Sequence, residues 1–128
     1  MKNNTIRIAI AGFGNIGSYF YKTLIKKQKM IEVKTGKKIT IKYISAKNAN
    51  KKRKIKIPKN KWVKNPLNLA NKKDVDIIVE LIGGSGNVAK KLIISAIKNK
   101  KHVITANKTL ISKYGDQLSY LAEKNNVN

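Results

Sequence analysis

A glycine pattern near the N-terminus constrains the fold more than any other feature of the chain. Gly12, Gly14 and Gly17 form G-x-G-x-x-G, directly after an apolar run at 6–11 and before a segment with helical spacing of apolar residues. In such a turn the first glycine permits a sharp bend, the second lets a pyrophosphate approach the backbone, and the third lets helix and strand pack closely. Glycines also mark plain structural turns, but this strand-to-helix context favours dinucleotide binding.

The rest of the chain alternates between short apolar runs and helical periods. The predicted strands are four short runs: 6–11, 39–44, 76–82 and 102–105. The predicted helices are 15 to about 30 with the stripe Ile16, Phe20, Leu24 and Ile25, a stripe from Val88 to Ile97, and a segment from Thr109 onward with Asn107 as N-cap. This order predicts an α/β, Rossmann-type doubly wound parallel sheet with helices on both faces, as a single domain over 1–128.

The segment from Lys47 to about Lys61 interrupts this rhythm. It is polar and strongly basic, and Pro58 and Pro66 lie in the stretch before the third strand. Proline disfavours long regular elements because it lacks the backbone N–H group. We therefore expect a loop between the second and third strands.

Length and residue usage exclude several classes of protein. With 128 residues the chain is long enough for one hydrophobic core. It has no cysteine and one histidine, His102, so neither a disulfide framework nor a thiolate metal site is expected. The N-terminal apolar run is broken by Arg7 and is too short for a signal peptide or a spanning helix. We expect a cytoplasmic chain without a metal.

The formal charge of +23 has two competing explanations. A basic chain attracts nucleic acid and anionic membranes. Here, however, the excess is almost entirely lysine spread along the chain, with Arg7 and Arg53 as the two arginines, and aromatic residues are few. Base recognition favours arginine and stacking platforms need aromatics, so a general compositional bias is preferred over a specific nucleic-acid or membrane partner. A basic nucleic-acid-binding protein stays an alternative.

The end of the second predicted strand bears on which dinucleotide is bound. An acidic residue there would hold the ribose hydroxyls of NAD. Glu32 has about the right sequence distance from the glycines, but it precedes the strand. After the strand come 45–48 and then Lys51, Lys52 and Arg53, without an acid. Cations suit a 2′-phosphate, which favours NADP over NAD. The alternative is that these lysines belong to the general excess.

Two longer segments in the second half resemble a known family. These are V-D-I-I-V-E-L-I-G-G at 75–84 and K-H-V-I-T-A-N-K-T-L at 101–110. In order and spacing they resemble the N-terminal NAD(P)-binding domain of homoserine dehydrogenases, and 114–118 with 121–123 extend the likeness. The resemblance runs from about Ile6 to the end of the chain. Both segments in order behind the glycine pattern are far more specific than that pattern alone.

The resemblance implies an oxidoreductase of amino-acid biosynthesis. Members of the family interconvert aspartate semialdehyde and homoserine by hydride transfer with NAD(P)H, on the path to threonine and methionine. By this likeness Phe13, Gly14, Asn15 and Ile16 are expected to lie along the pyrophosphate, and Gly12 and Gly17 complete the cofactor-binding turn. Lys47 and Lys52 are expected to contact the adenosine phosphate. Gly83 and Gly84 are expected to line the cofactor crevice. Thr105, Ala106, Asn107 and Lys108 are expected near the nicotinamide and the aldehyde.

Lys108 is the residue expected to take part in catalysis. An ammonium group beside a developing alkoxide can stabilise charge or relay a proton. The alternative is an exposed lysine in the first turn of a helix. Of the other polar and aromatic residues, His102 is expected to be structural, Glu80 to accept hydrogen bonds from backbone near the crevice, and Trp62 and Tyr43 to pack.

The family continues beyond the point that corresponds to Asn128, into a dimerising catalytic domain. We therefore expect a truncated cofactor-binding portion that is inactive alone and that forms a homo-oligomer only with the missing domain. A nucleotide-sensing regulatory module of the same fold stays an alternative, because fold does not fix function.

Overall fold

A computed structural model describes residues 4–47, 54–84 and 86–128. Its strands are β1 (Thr5–Ala11), β2 (Lys38–Ser45), β3 (Ile77–Glu80) and β4 (His102–Thr105), and its α-helices are α1 (Asn15–Thr35), α2 (Asn87–Lys98) and α3 (Lys108–Lys124). The four strands form one parallel sheet in the order β2-β1-β3-β4. The predicted α/β class and Rossmann-type parallel sheet are confirmed.

The two faces of the sheet carry separate clusters of apolar side chains. Ile8 and Ile10 of β1 pack on one face with Tyr21 and Leu24 of α1. The alternate residues of β1, Ala9 and Ala11, point to the other face and pack with Leu92 and Ala96 of α2. Helix α3 packs against α2 through a third cluster that includes Leu110 and Leu118. Helices therefore cover both faces, as the alternation of strands and helices predicts.

Helix α1 differs from its prediction in length and in its buried face. It continues to Thr35 and ends at Gly36, whose φ of 72° permits the left-handed C-cap conformation. The prediction ended this helix about five residues too early. Ile16 and Ile25, two members of the predicted apolar stripe, are 65% and 44% exposed, because the face that contacts the sheet is set by Gly17, Tyr21 and Leu24.

Strand β3 is shorter than its predicted range of 76–82. The Leu81 amide still donates to the Ala11 carbonyl oxygen at 2.7 Å. The next amide, that of Ile82, donates instead to the side chain of Glu80 at 2.7 Å. A side chain thus replaces the neighbouring strand as acceptor, and the chain leaves the sheet at this point.

The connection from β2 to β3 contains two short 3-10 helices, Lys59–Lys61 and Pro66–Asn71. The absence of a long regular element in its described part, 54–75, agrees with the prediction from Pro58 and Pro66. The second 3-10 helix buries Leu69 and Ala70 fully under the sheet.

Polar side chains connect the amino-terminal ends of β1, β3 and β4 to each other and to the segment before β3. The Arg7 guanidinium contacts the Asp76 carboxylate through Nη2–Oδ1 at 2.8 Å and Nε–Oδ2 at 3.1 Å. The buried ammonium group of Lys101 donates to the carbonyl oxygens of Lys72 and Val75. Among the helices of the described ranges, none is long and apolar enough to cross a membrane.

Candidate functional site

The carboxyl ends of three strands meet the starts of all three α-helices at one edge of the sheet. β1 ends at Ala11, β3 at Glu80 and β4 at Thr105, and each is followed by the next helix after a short turn. No acidic residue lies in the first turn of any of these helices. The partial positive charges of their N-termini are therefore not neutralised locally, and such an edge suits an anionic ligand.

Gly12 has the conformation and the surroundings that require glycine. Its φ is 98°, and its amide donates to the Ser45 carbonyl oxygen at 2.8 Å. A Cβ atom at this position would lie 2.6 Å from the Leu81 carbonyl oxygen. The turn after β1 is thus fixed between the ends of β2 and β3, as the first glycine of the pattern predicts.

Gly17 and Gly14 have opposite surroundings. A Cβ atom on Gly17 would lie 2.3 Å from the Gly12 carbonyl oxygen, which confirms that this glycine permits close packing of helix on turn. A Cβ atom on Gly14 would meet no protein atom within 4 Å. The protein's own packing therefore does not require glycine at position 14. The open space at this N-cap of α1 fits a pyrophosphate approaching the backbone.

The side chain of Phe13 belongs to the core. It is 4% exposed, and its ring makes edge-to-face contacts with Tyr21 and Trp62 at centroid distances of 5.8 Å. Any contact of Phe13 with a ligand in the crevice must therefore come from its backbone. Asn15 and Ile16, by contrast, are exposed on the first turn of α1. The expected packing role of Trp62 is confirmed.

A second glycine turn follows β3. Gly83 and Gly84 have φ values of 75° and 74°, and both are exposed. A Cβ atom on either would meet no atom within 4 Å, so the backbone conformation and not the available space favours glycine. This turn lies at the carboxyl end of β3, beside the end of β4.

Polar side chains join this turn to the loop after β4. The carboxyl oxygens of the fully buried Glu80 accept from the Ile82 amide and, at 2.5 Å, from the Thr105 hydroxyl. The Thr105 hydroxyl oxygen in turn accepts from the Asn107 amide at 3.0 Å. The Asn107 side chain donates to the Gly84 carbonyl oxygen at 2.8 Å. The prediction that Glu80 accepts a backbone hydrogen bond near the crevice is confirmed.

This network changes how Thr105 and Asn107 can act. Asn107 is the N-cap of α3, as predicted, and its Oδ1 accepts from the Leu110 amide at 3.1 Å. Both side chains thus make hydrogen bonds within the protein. Sequence reasoning placed the two residues near the nicotinamide without foreseeing this network. The signal that could have revealed it is an acidic residue inside an apolar strand beside a strand that ends in threonine.

Lys108 and Ala106 are the exposed residues of the same loop. Lys108 is the first residue of α3, and its ammonium group makes no ion pair with any carboxylate of the described residues. The Ala106 amide donates to the Glu80 carbonyl oxygen at 3.2 Å. This bond holds the start of the loop against the end of β3, and the exposed Lys108 follows two residues later as the first residue of α3.

The end of β2 lies beside the first glycine turn. Ser45 is buried, Ala46 is half-buried and Lys47 is exposed. Lys52, the other lysine expected at the adenosine phosphate, lies outside the described residues. No Asp or Glu stands between Glu32 and Asp74 in the sequence.

A family model described as the NAD binding domain of homoserine dehydrogenase matches residues 12–128. The chain belongs to this family. The matched range includes both segments, 75–84 and 101–110, from which the resemblance was inferred, so the prediction of the family is confirmed.

Homoserine dehydrogenases of several bacteria are similar to this chain. That of Neisseria gonorrhoeae is 38% identical over 122 residues, which cover 95% of this chain and 28% of that protein. The crystal structure of S. aureus homoserine dehydrogenase at pH 7.0 gives a TM-score of 0.88 at 36% identity, covering 99% of this chain and 32% of that one. A hyperthermophilic archaeal homoserine dehydrogenase solved in complex with NADPH gives 0.70 at 19%, covering 96% and 43%, and that likeness shows the fold alone. The chain thus spans about 28% of the length of its first curated relative.

The remaining polar residues lie away from the crevice. The backbone carbonyl oxygen of Glu32 accepts a hydrogen bond from the Gly36 amide at the end of α1, and its carboxylate forms an ion pair with Lys29 at 3.6 Å. Glu32 therefore lies at the opposite end of α1 from the glycine turn. His102 begins β4, and its Nδ1 accepts from the Asn128 amide at 3.1 Å, which agrees with a structural role. Among the described residues of this chain, no group of three or more acidic or imidazole side chains could hold a metal ion.

Tyr43 packs on the α2 side of the sheet and has a further contact. Its hydroxyl group donates to the Asp74 carboxylate at 2.9 Å, and this bond raises the pKa of Tyr43. The residue therefore ties β2 to the segment before β3 and takes no part in the crevice.

Proposed function

We propose that this chain binds NADP(H) as the cofactor-binding portion of a homoserine dehydrogenase, with NAD as the weaker ligand. The observation that carries the proposal is the surroundings of the three glycines. Gly12 and Gly17 are needed by the protein's own packing, whereas Gly14 opens onto free space at the start of α1. A pyrophosphate needs free space beside the backbone at a helix N-terminus, and Gly14 leaves such a space between the two glycines that packing requires.

In this proposal the pyrophosphate lies along residues 12–17. The backbone amides at the start of α1 face it, and the absence of an acid in that first turn leaves the positive end of the helix dipole available. Phe13 contributes through its backbone, because its ring is buried against Tyr21 and Trp62. Asn15 and Ile16 are exposed and can contact the ligand directly.

The preference for the 2′-phosphate rests on the residues that follow β2. Lys47 is exposed two residues after Ser45, whose carbonyl oxygen accepts from Gly12, so the cation follows directly on the strand end that borders the pyrophosphate turn. Lys52 is proposed as its partner on the basis of sequence alone. No acid follows β2 to bind ribose hydroxyls as in NAD-specific sites. A charge-assisted hydrogen bond to a phosphate contributes about 1.5–3 kcal/mol, or roughly tenfold or more in affinity.

The other end of the dinucleotide is proposed to lie between the Gly83–Gly84 turn and the loop 105–108. Thr105 and Asn107 shape this loop with their side chains and offer backbone groups to the ligand. A bound nicotinamide would supply or accept the hydride. The substrate class proposed for the complete enzyme is a small aldehyde and its alcohol, aspartate semialdehyde and homoserine, as the resemblance to the family implies.

Lys108 is the residue that we propose for catalysis. A cation in the first turn of a helix is unfavourable by about 0.3–1 kcal/mol, because it faces the positive end of the helix dipole. No carboxylate of the described residues compensates it. The position therefore has a small structural cost, and a gain in function would explain it. The ammonium group would stabilise the developing alkoxide oxygen and deliver a proton to it.

Calorimetric titration of the chain with NADPH and with NADH tests the cofactor proposal. We expect NADPH to bind about tenfold more tightly, and Lys47→Gln to weaken NADPH binding while leaving NADH binding within about twofold. Lys113→Gln, on the exposed side of α3, is the matched control. Equal affinity for the two cofactors would contradict the phosphate preference, and absence of binding to both would remove the site.

The second arm of the experiment tests the pyrophosphate turn itself. Gly14→Ala adds a carbon that meets no protein atom, so the free energy of unfolding should change by less than about 1 kcal/mol. The same carbon would occupy the space proposed for the pyrophosphate, so the affinity for NADPH should fall at least tenfold. Unchanged affinity in a folded Gly14→Ala variant would place the ligand elsewhere.

A further inference from the structure

The two loops that border the crevice are joined by one continuous path of hydrogen bonds. The path runs from the Ile82 amide through the Glu80 carboxyl group to the Thr105 hydroxyl, then to the Asn107 amide. The Asn107 side chain closes it on the Gly84 carbonyl oxygen. The path therefore begins and ends in the glycine turn after β3, and it passes through the loop before α3.

Glu80 is an unusual residue for its position. It is fully buried in β3, between Ala11 of β1 and Thr105 of β4, on a strand whose neighbouring positions are occupied by Ile77, Ile78 and Val79. Burial of a carboxyl group is costly unless hydrogen bonds compensate it, and an apolar side chain could fill the same place in the core. Packing therefore does not explain why an acid stands here.

The position of Glu80 beside the Gly83–Gly84 turn suggests a role for its carboxyl group. Two consecutive glycines at φ values near 75° have wide conformational freedom, which must be lost when a ligand is held against them. In this structure the turn is fixed at both ends, by Glu80 at the Ile82 amide and by Asn107 at the Gly84 carbonyl oxygen. Fixing a loop before the ligand arrives lowers the entropic cost of binding.

We propose that Glu80 is a positioning residue that acts through Thr105 and Asn107 to hold the Gly83–Gly84 turn against the start of α3. It thereby preorganises the wall of the crevice for the dinucleotide. Glu80 itself touches no ligand, since its side chain is fully buried. This inference rests on the proposed binding of NADP(H) at the crevice.

Glu80→Gln is the direct test, because it keeps the shape and changes the hydrogen bonding. The amide of glutamine has one acceptor oxygen and one donor nitrogen, while both partners of Glu80, the Ile82 amide and the Thr105 hydroxyl, donate to it. Glutamine can keep both contacts only if its amide nitrogen donates to the Thr105 hydroxyl oxygen, which must then accept from two donors, and both contacts lose the charge of the carboxylate. We expect the affinity of the folded chain for NADPH to fall about tenfold, measured by calorimetry at a temperature where the variant is folded by circular dichroism.

Thr105 provides a second pair of variants with an internal control. Thr105→Val removes the hydroxyl that both donates to Glu80 and accepts from Asn107, whereas Thr105→Ser retains it. We expect the valine variant to bind NADPH about tenfold more weakly and the serine variant to bind within threefold of the parent. Thr40→Val, in the middle of β2 and away from the crevice, should leave the affinity unchanged.

The double variant distinguishes positioning from independent effects. If Glu80 acts through Thr105, the double variant Glu80→Gln with Thr105→Val should lose no more affinity than Thr105→Val alone, within about threefold. Multiplicative losses, or a Glu80→Gln variant that binds as tightly as the parent, would overturn the proposal. If Glu80→Gln does not fold, the serine and valine variants of Thr105 decide, and equal affinities of these two would overturn it. Failure of the parent chain to bind NADPH would instead overturn the proposed function.

Discussion

Replacing Gly17 with alanine should destabilise the fold by about 2 kcal/mol. The new Cβ atom would lie 2.3 Å from the Gly12 carbonyl oxygen, and Cβ atoms essentially never approach another heavy atom closer than 3.0 Å. The backbone fixes the position of the Cβ atom, and the other atom is a backbone carbonyl oxygen, so a rotamer change cannot relieve the strain. Overpacking of this kind costs about 1–3 kcal/mol, and the upper end applies because α1 must move as a unit. Alanine recovers up to about 1 kcal/mol through its higher helix propensity.

Gly115 provides a matched control within the same chain. It is also a helical glycine, in α3, but a Cβ atom there would lie 3.4 Å from Cγ2 of Ile111, which is close to an ordinary contact with a side-chain methyl group. Gly115→Ala should therefore stabilise the chain by about 0.5–1 kcal/mol. The two alanine variants differ in sign because one glycine is needed for packing and the other is not.

Urea denaturation followed by circular dichroism at 222 nm in the far ultraviolet measures both variants, with ΔG of unfolding taken from a linear extrapolation. The expected separation between the two variants is about 3 kcal/mol. If Gly17→Ala is as stable as the parent chain, or gains as much as Gly115→Ala, then α1 does not depend on close contact with the glycine turn. The geometric account of the third glycine would then be wrong.

Three further predictions concern charged side chains. In a chain completed by a catalytic domain, Lys108→Met should lower the hydride-transfer rate, followed by NADPH absorbance, by about 10²-fold or more, whereas Lys113→Met should not. A few-fold effect for both would contradict the catalytic role. Lys101→Met removes the ammonium group that donates to the part-buried carbonyl oxygen of Lys72 and the buried one of Val75, so chemical denaturation should show a loss of about 1–3 kcal/mol, against less than about 0.5 kcal/mol for the exposed Lys98→Met. Equal losses would exclude this role of Lys101. The Arg7 side chain lowers the pKa of Asp76, against the opposing effect of burial, so stability that is fully present above the ordinary carboxyl range should be lost as the pH falls through the lowered value. Unfolding measured between about pH 6 and 2 should show a shallower acid loss for Asp76→Asn, and an unchanged slope would contradict the linkage.

The order of strands and helices could be predicted from the sequence because each element carries its own local pattern. The alternation of apolar runs and helical periods, together with Gly12 and Gly17, is sufficient for a parallel α/β sheet with a tight first turn. The buried face of α1 could not be derived in the same way. Apolar spacing selected Ile16 and Ile25, which are exposed. The face that contacts the sheet carries Gly17, and apolar spacing does not detect it, because glycine has no side chain to contribute to an apolar stripe.

In the candidate site, the backbone features could be predicted from the sequence and the side-chain contacts could not. Its backbone features, the two glycine turns and the helix starts, follow from sequence patterns. The geometry of Gly12 and Gly17 agrees with their expected roles in the turn and in packing, whereas the role of Gly14 towards a ligand stays a prediction. The use of side chains does not follow from pattern. Phe13 faces the core, and Thr105 and Asn107 are bound to Glu80 and Gly84, because the register of β3 with β4 places these groups together. The contacts of Lys47, Lys52 and Lys108 with a ligand stay predictions.

The contact between Trp62 and Phe13 gives the chain an intrinsic optical probe of its own site. Trp62 is the single tryptophan, so the fluorescence of the indole group reports from one place in the molecule. Its ring touches that of Phe13, whose backbone forms part of the glycine turn for which we propose pyrophosphate binding. A movement of that turn would shift the Phe13 ring against the indole group and change its surroundings. The intensity of Trp62 emission should therefore follow binding of a ligand at the turn without any added label.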